Sequence, residues 1–124
     1  MVWDPARVTP KPWESAREFF RNLAGRNDDF LPMLNLVDHI ASQAYATSIF
    51  AATSGTALLI AREAEGDWTH DALRVDVGLS GSIRFTLPQR RAGKPTIFEC
   101  EGKTIVEAFD RFLRSATWIS GASA

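Results

Sequence analysis

The hydrophobic period of this chain changes twice along its length, and that change restricts the possible folds more than any other feature. Apolar side chains recur every three to four positions from residue 13 to residue 44, every second position from residue 73 to residue 87, and every three to four again after residue 104. A period near 3.6 puts one stripe of a helix against a core, whereas a period of two sends alternate side chains to opposite faces of a strand. Helices at both ends and strands between them point to an α+β chain, with strands joined as neighbours rather than through helical crossovers.

The first helix begins at Pro12, tolerated in a first turn, and carries Trp13, Ala16, Phe20, Leu23 and Ala24, with Phe19 widening the stripe; Gly25 offers a left-handed stop. Asp28 or Asp29 is placed to cap a second helix bearing Phe30, Met33, Leu34, Val37, Ile40, Ala41 and Ala44. Residues 49–53 and 56–62 then read as two strands around Ser54-Gly55. Leu73, Val75 and Val77 alternate with Arg74 and Asp76, and Ile83, Phe85 and Leu87 with Arg84 and Thr86. These two runs form a hairpin if residues 78–82 are its loop, pairing Val77 with Ile83 and Val75 with Phe85 on the dry face and Asp76 with Arg84 on the wet one. Residues 96–100 supply a further strand, directing Phe98 to one face and Glu99 to the other. Thr104 and Glu107 have the spacing of a capping box for a last helix, buried through Ile105, Phe109, Phe112, Leu113 and Ala116 and solvated through Glu107, Asp110, Arg111 and Arg114.

The expected architecture is a two-layer α+β sandwich, with two N-terminal helices, an antiparallel meander of four or five strands, and a C-terminal helix on the same sheet face. Residues 1–11, holding Pro5 and Pro10, read as an arm pinned by Trp3 and Val8; residues 12–119 as one domain; and residues 120–124, Ser-Gly-Ala-Ser-Ala, as a frayed tail. At 124 residues and 45% hydrophobic composition one core suffices, without disulfide or metal. The single cysteine, Cys100, forbids an intrachain disulfide and fits a reducing, cytoplasmic setting. No run of about twenty apolar residues is present to cross a bilayer. The 14 basic and 15 acidic side chains, net −1, provide no global attraction to nucleic acid or anionic lipid.

Chemistry is sparse. His39 and His70 each adjoin an aspartate but lack the spacing that converges three or four ligands on a metal, and no cofactor motif is present. Cys100, between Glu99 and Glu101 and facing inward with Phe98, reads as a small core side chain, since neighbouring carboxylates disfavour its thiolate. The hydroxyl-rich run 52–56 lacks the lysine and second glycine of a phosphate loop and reads as a turn. Arg90, Arg91 and Lys94 gather positive charge in one loop, a candidate anion contact; no aromatics are interleaved with them, which argues against nucleic acid.

Two functional expectations follow. Residues 57–61 are apolar on both faces, so if Leu58 and Ile60 meet the helices, Leu59, with Ile97, is left on the open face for the arm, a ligand or a second subunit to shield. Of the four tryptophans, Trp3, Trp13 and Trp118 read as a lid over the core, and Trp68 is the best candidate for a partner anchor. Leu59, Ile97 and Trp68 thus mark a candidate interface, and the leading expectation is a small non-catalytic interaction module, a homodimer whose open sheet face or Trp-lined edge meets a protein partner. The alternative is a small-ligand binder or minor enzyme, with an apolar pocket among Phe20, Met33, Val37, Phe85, Phe98 and Phe109 and polar groups His39, Tyr45 or Arg84 converging on it.

Overall fold

Pro12 needs no hydrogen-bond partner for an N–H it lacks, and its carbonyl accepts from Ser15 and Ala16, 2.9 and 3.1 Å away, to open helix α1, Trp13–Arg26. The computed structural model describes residues 10–63, 68, 72–78, 81–88 and 95–116. The expected arm apart from residues 10 and 11, the tail, Trp3, Val8, Trp118, His70 and the basic trio Arg90, Arg91 and Lys94 lie outside those residues.

Helix α1 does not stop at Gly25. It runs one residue further, and Asn27 turns extended there, its side chain accepting the Asp29 backbone N–H at 2.9 Å. Asn27 therefore takes the capping role expected of Asp28 or Asp29, at the head of a short 3-10 turn, Asp28–Phe30, that leads into α2, Leu31–Ala41. Helix α2 ends three residues short of Ala44. The Ser42 hydroxyl donates to the His39 carbonyl at 2.7 Å, satisfying a terminal acceptor, and Gln43 turns extended before a second 3-10 turn, Ala44–Thr47. Leu36, outside the expected stripe, is fully buried, because α2 is covered by α1 on one flank and by the sheet beneath it.

The sheet has five strands, β1 Phe50–Ser54, β2 Ala57–Ala61, β3 Leu73–Val77, β4 Ser82–Leu87 and β5 Thr96–Glu101, in sequential order with every neighbouring pair antiparallel. Ser54 pairs with Ala57 across a two-residue turn, and Gly55 there holds φ +60°, a left-handed value that costs glycine little. The hairpin register is as expected: Val77 opposes Ile83, Val75 opposes Phe85 and Asp76 opposes Arg84. Arg74, however, holds the Asp76 carboxylate at 3.0 Å, and Arg84 reaches Glu99 on β5 at 3.6 Å.

The last helix, α3, Ile105–Ala116, begins without the expected capping box. Gly102–Thr104 form a 3-10 turn instead, in which the Thr104 hydroxyl donates to the Glu101 carbonyl at 3.1 Å. Gly102 is required by proximity, since a Cβ there would come within 2.5 Å of Pro32 Cγ at the start of α2. That close approach sets where α3 leaves the sheet.

All three helices lie on one face. Phe20 from α1, Met33 and Ile40 from α2, and Phe109 from α3 share a single buried cluster with Leu58, Ile60, Leu73, Val75, Ile83 and Phe85 from the strands. A two-layer α+β sandwich is therefore the observed fold. The opposite face is not bare at β2: Leu59, only 6% exposed, is buried with Ala52, Ala61, Ala72 and Trp68 in a second, smaller cluster. The expectation that Leu59 needs the arm, a ligand or another subunit to cover it is corrected here, because Trp68, from the chain's own connection between β2 and β3, supplies the cover.

Candidate functional site

The two edges of the sheet are finished differently. Beyond β1, the Lys11 backbone N–H donates to the Ala51 carbonyl at 2.8 Å, forming an antiparallel bridge, and the Lys11 ammonium donates to the Thr53 hydroxyl at 3.0 Å. Beyond β5, no strand or bridge is present among the described residues. An unpaired edge presents a row of backbone donors and acceptors ready to pair with another extended chain.

The side chains of β5 share this openness. Phe98 and Cys100 point inward, opposite Phe85 and Ile83, yet both are only half-buried, whereas their cross-strand partners are wholly buried. Ile97 points outward opposite Thr86 and is 54% exposed. Between β5 and α3 lies a groove of about 700 Å³. Its floor is Leu87, Phe98, Cys100, Ala108 and Phe112, and its rim carries Thr96, Glu99, Thr104, Glu107, Arg111 and Ser115. Phe98 stacks on Phe85 with ring centroids 4.6 Å apart and on Phe112 at 6.0 Å, so aromatic rings extend from the core to the edge in one row. Burial raises the Cys100 thiol above its ordinary pKa, with a Thr104 hydrogen bond opposing, so the sulfur stays protonated at neutral pH and adds to the apolar floor.

The residues expected to line an interior pocket, Phe20, Met33, Val37, Phe85, Phe98 and Phe109, all belong to the buried cluster beneath the helices or pack against it. Five of these residues are wholly buried, and Phe98 lines the edge groove. Of the polar trio expected to converge there, two members meet elsewhere. His39 Nε2 on α2 lies 3.0 Å from Asp110 Oδ1 on α3, which places the proton on that nitrogen, and the Tyr45 hydroxyl donates to the same oxygen at 3.2 Å. Arg84 is on the opposite, exposed face of the sheet beside Glu99. Asp110, read from sequence as a solvated helix position, is the missing third member, and only the packing of α3 against α2 reveals it.

This His39–Asp110–Tyr45 cluster has the composition of an acid–base site but the wiring of a structural tie. Desolvation first, then the Asp110 charge and hydrogen bond, raise the Tyr45 hydroxyl well above its ordinary pKa, keeping it a donor rather than a phenolate. Nδ1 of His39 faces Gln43 Nε2 at 3.5 Å, and among the described residues no Ser or Thr hydroxyl and no thiol hydrogen-bonds the ring. The cluster fastens α3 and the 44–47 turn to α2, on the side of α3 remote from the groove.

Among the described residues there is no group of three metal-ligating side chains, and no helix is long and apolar enough to cross a membrane. No protein-family model, no curated protein and no solved structure matches this chain.

Proposed function

We propose that this chain is a small non-catalytic interaction module that self-associates through the edge formed by β5 and α3. One observation carries the reading: β5 is the terminal strand with no partner beyond it among the described residues, while the other edge of the sheet is bridged by the chain's own Lys11. Strand addition at such an edge gains backbone hydrogen bonds along its length, and the adjoining groove offers apolar surface to the incoming side chains. Ile97, exposed on the outward face of β5, adjoins this edge, whereas Leu59 and Trp68 are buried together under β2. Light scattering over a range of concentrations, with hydrogen exchange on the same samples, tests the reading. A concentration-dependent dimer whose residue 96–101 amides exchange more slowly as it forms is the expected result; a monomer at every concentration overturns it.

The groove volume favours a second reading, an elongated apolar ligand in the same place, since small-molecule sites commonly occupy roughly 300–1,000 Å³. On that reading the protein stays monomeric and the apolar dye anilinonaphthalene sulfonate fluoresces on binding, with the signal abolished by Ala108→Arg at the groove floor.

A further inference from the structure

We draw no further inference here: the strongest candidate, the apolar groove between β5 and α3 with Glu107 and Arg111 on its rim, belongs to the site already described, and nothing in the structure shows what covers it.

Discussion

The two edges of this sheet begin from similar backbone and end in opposite states. At β1 the Lys11 bridge takes up part of the edge, Ala51 is buried on the helical face, and Ala52 is buried with Trp68 and Leu59 on the other. At β5 the inward side chains are half-buried, the outward Ile97 is exposed, and a groove separates the strand from α3. The difference teaches that closing an edge takes three coverings, one for the backbone and one for each face, and that each can come from a different part of the chain. At β1 they come from the segment before α1, from the helices, and from the connection between β2 and β3.

The comparison is broken most severely by removing the cover on the closed side. Trp68→Ala is expected to lose about 3 kcal/mol of stability, since it empties the smaller cluster and uncovers Leu59 and Ala52; urea unfolding measures it. The matching truncation at β5, Phe98→Ala, is expected to lose only about 1–2 kcal/mol at concentrations that keep the chain monomeric, because that ring is already partly exposed. Equal losses would mean that the two sides are equally closed.

Lys11→Pro attacks the backbone cover alone. It removes the N–H donated to Ala51 and the ammonium donated to Thr53, and is expected to lower stability by about 1 kcal/mol in the same assay. A second association mode, visible as species larger than a dimer in light scattering, is its expected companion, because the backbone groups of β1 are then free to pair.

The smallest effect concerns the contacts that tie α3 to α2. The His39–Asp110–Tyr45 contacts hold α3 against α2, on the side away from the groove. Tyr45→Phe is expected to lose about 0.5–1 kcal/mol by removing one hydrogen bond to a carboxylate. The pH dependence has a definite sign. The folded Tyr45 hydroxyl titrates above its ordinary value of 10.0, so the unfolded chain loses this proton first. The contribution of Tyr45 is complete below pH 10 and declines as pH rises beyond it, and urea midpoints of parent and Tyr45→Phe are expected to converge there. Parallel curves would exclude Tyr45 as the cause of any alkaline loss.

Local rules accounted for most of the elements and for the hairpin register, because strict alternation from Leu73 to Val77 and from Ile83 to Leu87 leaves one pairing that keeps apolar side chains together. They failed where a non-local contact outweighed local preference. Gly25 stays helical since Asn27 supplies the turn, and Thr104 bonds back to Glu101 rather than capping α3, in a connection held close to Pro32. Of the candidate site residues, Ile97 was legible as an exposed apolar side chain and Cys100 as an apolar partner of Phe98. Asp110 was not, because its spacing matches that of a solvated helix position and only the neighbouring helix gives it His39 and Tyr45.

The sequence by itself determined the order and type of the elements and which face of the β3–β4 hairpin is dry, since these depend on spacing within a few residues. Tertiary structure alone decided which edge the Lys11 bridge covers, what shields Leu59, and which groups Asp110 meets. Each of those depends on segments distant in the chain arriving at one place: Lys11 at Ala51, Trp68 over Leu59, and Asp110 of α3 beside His39 and Tyr45.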